Sequence, residues 1–174
     1  MYSIDRITED GKKKEISNLI LRQLPEWFGI EQSIIEYVDG VHDTDFYVSY
    51  YNESPVGFIS VKYNNNFTAE IYVIGILKEH HNRGIGKKLI HICEEELKSK
   101  GIVYFMVKTL GESHPDQNYK DTRNFYTKVG FYPLQEINEI WGNENPCLIM
   151  VKNIEYKEVV LSKNLTTQTQ TFKR

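Results

Sequence analysis

The chain has 174 residues, 40% of them hydrophobic and 26% charged, with a net charge of −3. That is room for one domain with a substantial core and too little for two, and the composition excludes a disordered chain. The charge gives no global reason to expect nucleic acid or an anionic membrane as partner, and the chain has no apolar run of ~18 residues and no signal-like N-terminus, so neither partner is expected and a cytoplasmic location follows.

Tyr2 to Ile7 alternates as a short first strand. From Lys13 the apolar positions Ile16, Leu19, Ile20 and Leu24 recur at helical spacing, and Pro25 closes that helix. The loop Glu26-Trp27-Phe28-Gly29 leads to a second helix, Gln32 to Val41. Its two aromatics either wall a substrate site or cover the core. Phe46 to Tyr51 and Val56 to Tyr63, rich in aromatic and β-branched residues and separated by Asn52-Glu53-Ser54-Pro55, form a hairpin. After the Asn64-Asn65-Asn66 turn, Thr68 to Ile76 adds a third antiparallel strand. A helix follows, with Ile85, Leu89, Ile92, Cys93 and Leu97 on one face and Gly101 behind its end. Ile102 to Leu110 is a nearly continuous apolar strand, as for one buried on both faces. A polar loop from Gly111 leads to a short helix, Tyr119 to Val129, ended by Gly130. Phe131 to Gln135 resumes as a strand that Pro133 confines to an edge or bulge. The loop Trp141 to Pro146 precedes a last strand, Cys147 to Lys152. Residues 154–174 form a C-terminal extension in which Lys157 to Leu165 could add a strand, and Thr166 to Phe172 is polar and of low complexity.

The segment from Glu70 to Gly101 carries the strongest functional signal. An apolar strand ends in a polar cluster, passes through Arg83-Gly84-Ile85-Gly86 and becomes a helix. The first N–H groups of that helix lack internal partners and its dipole adds partial positive charge, so a phosphate is the natural guest. Glycines at 84 and 86 allow close approach of backbone and ligand. Two phosphate loops fail on spacing: a dinucleotide fingerprint needs glycine where Leu89 stands, and a Walker A loop needs glycine at His81 and Ser or Thr at Lys88. A Rossmann unit also fails, because three meandering strands precede the loop.

The second element is Thr122 to Phe131. Phe125, Tyr126 and Val129 fit the inner face of a core helix, and Gly130 its cap. Taken with His81-Asn82-Arg83-Gly84-Ile85-Gly86, in this strand order, the pattern resembles the GNAT superfamily of acyl-CoA-dependent N-acetyltransferases over roughly Tyr2 to Lys152. The family's first motif is usually Arg or Gln, two residues, Gly, one residue, then Gly or Ala; here His81 stands in the first place. Its second motif ends in tyrosine, three residues and Gly-Phe, matched by Tyr126 and Gly130-Phe131. Seven positions before that tyrosine many members carry a CoA-contacting asparagine, where this chain has Tyr119 beside Asn118.

The resemblance implies an α/β, GNAT-like fold: a mixed, mostly antiparallel seven-stranded sheet with about four helices, occupying residues 1–153. It implies acetyl-CoA as cosubstrate, its pyrophosphate on the loop Asn82, Arg83, Gly84, Ile85, Gly86 and Lys87, its pantetheine along Ile74, Gly75 and Ile76, and Asn118 as a further contact. The acceptor would be a primary amine of a small molecule or peptide, near Trp27, Phe28, Trp141 and Glu144. A homodimer is left open. An amine of pKa ~10.4 is neutral in only about one molecule in 2,500 at pH 7, so a base or a water path to one is useful. Glu70, on the strand leading to the loop, is the first candidate, and His114, in the loop after the central strand, the second. Tyrosine, at ~10, is a weaker acid than a thiol at ~8.5, so Tyr126 is expected to hydrogen-bond the sulfur as charge develops rather than to protonate it downhill. Neither Cys93 nor Cys147 has a histidine at nucleophile spacing, and the pair makes no disulfide framework or metal spacing, so direct transfer in a ternary complex without a metal is expected. A catalytically silent acyl-CoA-binding or sensing module is the alternative.

Overall fold

A computed structural model describes residues 1–154. The strand-forming runs become β1 (Tyr2–Ile7), β2 (Asp45–Tyr51), β3 (Ser54–Tyr63), β4 (Thr68–Ile76), β5 (Tyr104–Leu110), β6 (Tyr132–Ile137) and β7 (Cys147–Asn153). The helical runs become α1 (Asp10–Leu21), α2 (Glu31–Gly40), α3 (Ile85–Ser99), α4 (Gln117–Lys128) and α5 (Asn138–Trp141), with a 3-10 turn over Lys78–His80. The fold class is as expected, with five helices among the described residues where about four were expected. The fifth is a single turn, too short to show a period in sequence. The further strand considered at 157–165 lies outside the described residues. Among these, no helix is long and apolar enough to cross a membrane.

The strands form one sheet in the order β1-β2-β3-β4-β5-β7-β6. A two-residue turn closes the β2–β3 hairpin, with Asn52 at φ 48° and Glu53 at φ 66°, the positive pair that matches strand twist. Pro55 therefore sits inside the start of β3 rather than in the loop. β6 lies at the edge, and its register shifts between Pro133 and Gln135, where proline cannot serve the ladder.

One pairing decides where the site lies. β4 and β5 are the parallel neighbours, and their ladder runs only from Thr68↔Tyr104 to Ile71↔Val107. Just beyond it, β4 carries a bulge: Val61 pairs with Ile71 and Ser60 with Val73, which leaves Tyr72 over. The extra residue bends β4 away. From Tyr72 onward β4 stays bonded to β3 while its other edge has no strand beside it, and the two strands open into a fork.

Helices cover the sheet on both faces. α3 and α4 bury Leu89, Leu97, Phe105, Tyr126 and Phe131 on one face, and α1 and α2 bury Ile20, Leu21, Phe46 and Phe58 on the other. Because of the bulge, Tyr72 and Val73 both pack toward the α1–α2 side. β5 is less enclosed than its composition suggests: Tyr104 is exposed, and Met106 and Lys108 are half-buried.

Candidate active site

The glycine loop sits at the mouth of the fork. Gly84, at φ +77°, caps α3 in the left-handed region, where glycine is at no steric disadvantage, and nothing approaches the position of a Cβ there. Asn82 is also left-handed, at φ 58°. The first helical hydrogen bond runs from the N–H of Lys88 to the Gly84 carbonyl, so the amides of Ile85, Gly86 and Lys87 precede the ladder. The first turn of α3 carries no acidic residue, while Arg83, Lys87 and Lys88 are exposed around it. This is a cradle for an anion. Gly86 has a different reason: a Cβ there would stand 2.8 Å from Phe125 Cζ and 3.1 Å from Ile76 Cδ1. Its small size serves the α3–α4 contact, not ligand approach.

Ile74, Gly75 and Ile76 line the β4 side of the fork. Leu24 lies over Gly75 from the α1 side. The Ile76 carbonyl is held by His81 Nε2 at 2.7 Å, so the residue that departs from the family pattern fastens the end of β4 to the loop.

α4 presents Tyr119, Thr122 and Tyr126 to the fork. Asp116 caps this helix, accepting from the amides of Asn118 at 2.8 Å and Tyr119 at 3.1 Å. Tyr126 is 4% exposed, between Phe125 and Phe131. Its hydroxyl makes no hydrogen bond among the described residues. Burial pushes its pKa well above the ordinary tyrosine value, with Tyr37 and Tyr119 close enough to add to the shift. Nearby on β5, the buried Thr109 hydroxyl also lacks a partner. Ser49, away from the fork on β2, is the other buried hydroxyl without a partner among the described residues; beside the fork, Thr109 and the unbonded Tyr126 hydroxyl are donors that a polar chain lying between them could use. The Asn118 side chain is half-buried and makes no hydrogen bond among the described residues.

Glu70 lies on the α1–α2 face, one residue before the fork opens, and is 5% exposed. Lys108 Nζ reaches both its oxygens, at 3.1 and 3.4 Å, Asn64 Nδ2 donates at 3.1 Å, and Lys62 Nζ stands 3.6 Å away. Most of the carboxylate's roughly four acceptor positions are thus spoken for. Lys62 also lies 4.9 Å above the Tyr72 ring. Tyr37 of α2 belongs to the same neighbourhood: burial first, then Tyr119, Tyr72 and Glu70, push its pKa up to about 12. Sequence reasoning overlooked Lys108, Tyr37 and Tyr72. A lone lysine in an otherwise apolar strand was the available sign for Lys108; Tyr72 needed the bulge, and Tyr37 the tertiary fold.

The remaining candidates spread around the rim. Trp27 bridges to α4 through Nε1 to Thr122 Oγ1 at 3.0 Å, whereas Phe28 packs edge-on against Tyr37. Trp141 and Glu144 are exposed on the segment before β7. That segment meets the end of β5, where the Gly111 amide bonds the Pro146 carbonyl at 2.7 Å. His114 is not at the fork: it lines a cavity of about 450 Å³ behind α4, with Lys120, Asn124 and Leu148.

A model of the acetyltransferase (GNAT) family matches residues 13–131. An uncharacterised N-acetyltransferase of Chlorobaculum tepidum is 24% identical over 137 residues, covering 77% of this chain and 76% of that protein. Among solved structures, an IAA acetyltransferase from Bacillus cereus superposes with a TM-score of 0.65 at 21% identity, over 88% of this chain and 99% of that one. A GNAT family acetyltransferase from Elizabethkingia anophelis, with acetyl-CoA bound, does so with 0.65 at 18% identity, over 87% and 97%. The solved structures share the fold, and the family match spans the glycine loop, the fork and the second tyrosine motif: the chain belongs to the acetyltransferase (GNAT) family.

Proposed function

We propose that this chain transfers an acetyl group from acetyl-CoA directly to a primary amine of a small molecule or peptide, with both substrates bound in the fork between β4 and β5. The reading rests on one juxtaposition: a cation-flanked helix start with no side-chain cap at one end of the fork and a buried tyrosine with an unused hydroxyl within it. The cosubstrate supplies a thioester carbonyl and a thiolate leaving group.

The chain's own residues supply the rest. Amides of Ile85, Gly86 and Lys87, with Arg83, receive the pyrophosphate. The free edge of β4 over Ile74, Gly75 and Ile76 pairs with the amides of the pantetheine arm as a strand edge pairs with a peptide. Tyr126 donates its hydroxyl proton in a hydrogen bond to the sulfur as negative charge grows there. The phenol stays neutral across the working pH range because burial disfavours the phenolate. Glu70, buried at the acceptor side, takes the amine proton through water, and Lys108 fixes its orientation. Cys93 and Cys147 are buried, with thiol pKa values raised by burial, and form no acyl-enzyme.

The test is thiol release from acetyl-CoA across a panel of amines. Amine-dependent release with an acetylated product seen by mass spectrometry is the expected result. Tight acetyl-CoA binding with no release on any amine would replace this reading with the silent module.

A further inference from the structure

We infer that the α1–α2 loop is a strap across the mouth of the fork, with Trp27 as its buckle and Tyr119 and Thr122 as its latch, and that CoA enters and leaves by the latch opening. The inference rests on the acyl-CoA reading of the fork.

Trp27 stands on the far side of the sheet from α4: it follows Leu24, which packs on Gly75 from the α1 face, whereas α4 lies on the α3 face. Yet two hydrogen bonds join them. Trp27 Nε1 donates to Thr122 Oγ1 at 3.0 Å, and the Tyr119 hydroxyl donates to the Trp27 carbonyl at 2.9 Å. Bonds from one face of a sheet to the other pass only where strands have parted, which here is the fork. The glycine-loop side is tied to the same residue: the His81 ring meets the Trp27 ring edge-on at 5.8 Å, Lys78 Nζ lies 5.9 Å from its centroid, and Lys78 pairs with Glu26.

These contacts close a collar. It runs from the Ile76 carbonyl through His81, Trp27 and Thr122 into α4, and returns through Phe125, whose ring abuts Gly86 and Ile76. The two positions that depart from the family pattern, His81 and Tyr119, both end on Trp27. They are therefore parts of one device, and Trp27 and Tyr119 are positioning residues. The collar crosses the fork in which the pantetheine arm is read to lie, so CoA, with its bulkier nucleotide end, meets the strap on its way in and out. Exchange then requires the strap to lift, and its closure shields the thioester from water.

The chain has two tryptophans, so Trp141→Phe leaves Trp27 as the sole tryptophan, which selective excitation on the red edge reads apart from the twelve tyrosines. Stopped-flow fluorescence with CoA in that background should give an observed rate that levels off as CoA rises, the ceiling being the opening rate. Tyr119→Phe and Thr122→Val, each keeping the shape of the side chain, should each raise that ceiling and the dissociation rate severalfold, up to about tenfold, as the loss of one hydrogen bond allows. Melting temperatures within a few degrees of the parent would show the fold intact. A rate linear in CoA concentration, or a ceiling that both variants leave in place, overturns the strap alone. Absence of CoA binding by calorimetry to the unsubstituted protein overturns the acyl-CoA reading, and the strap with it.

Discussion

At the scale of single residues, Tyr126 carries the most specific expectation. Its hydroxyl is unengaged and its ring is packed on both sides, so removing the oxygen leaves the packing in place. Tyr126→Phe should lower kcat on the order of 10²-fold, the usual effect of losing one donor aimed at developing charge, with the KM for acetyl-CoA within about twofold of the parent. Steady-state kinetics with the best acceptor decides this, and an unchanged kcat removes Tyr126 from the chemistry. Glu70 makes a sharper contrast. Glu70→Gln removes the charge between Lys62 and Lys108 and, in the proposed mechanism, the proton sink with it, so kcat should fall about 10²-fold as well, the lower end of a general base's contribution. Lys108→Met should fall less, by roughly tenfold, because Asn64 still holds the carboxylate. Equal losses in both variants would make the pair, rather than Glu70, the functional unit.

At the scale of elements, the contact between α3 and α4 fixes the spacing of the cradle and the tyrosine. A methyl group at position 86 would meet Phe125 Cζ at 2.8 Å and Ile76 Cδ1 at 3.1 Å, so one of these side chains must move. Gly86→Ala should cost about 1–3 kcal/mol of stability as overpacking, and weaken CoA binding by displacing the two helices relative to each other. Adding Phe125→Leu should recover part of both losses, as melting temperature and calorimetry would show. The elements themselves were legible because period and punctuation agreed: β1 and β4 fall where the sequence pattern ends them, and Pro133 correctly marks an edge. α1 begins earlier than its apolar rhythm, at Asp10, since an acidic first turn and the helix dipole extend it beyond the buried face. The glycine turn opening α3 was legible from its spacing, and the placing of Tyr126 on the inner face of α4 from its helical pattern; the role of Tyr126 came only from the resemblance and is decided by the Tyr126→Phe kinetics. The fork was not, because a bulge at Tyr72 is a relation between two strands and leaves no mark on either alone. Glu70's lysine partners and the hydrogen bonds of Trp27 with Tyr119 and Thr122 depend on the same tertiary geometry.

At the scale of the whole molecule, buried hydroxyls and thiols set how the fold responds to alkali. Tyr37 and Tyr47 are pushed up to about 12 by burial, and Tyr126 is raised further in the same direction. In the unfolded chain the same phenols lose their protons near ~10. Between pH ~10 and about 12 the folded protein therefore holds more protons than the unfolded one, and stability falls as pH rises; below ~10 the contribution is fully present. Cys147 is pushed up to about 11 and Cys93 is raised also by burial, which adds to the same slope. Urea midpoints should thus begin to decline near pH ~8.5, where the unfolded thiols ionise, and fall more steeply above ~10, where the unfolded phenols do; the tyrosinate absorbance at 295 nm should appear in two stages, exposed phenols first and the buried ones only with unfolding. The thiols give an independent reading of the same burial. At pH 8 neither Cys93, 2% exposed, nor Cys147, fully buried, should react with an aromatic disulfide reagent, and both should react at once in denaturant. Rapid labelling of Cys147 in the native protein would mean that the β5–β7 edge at the open end of the fork, where Cys147 pairs with Leu110, opens on its own, and a closed collar there could not protect a thioester.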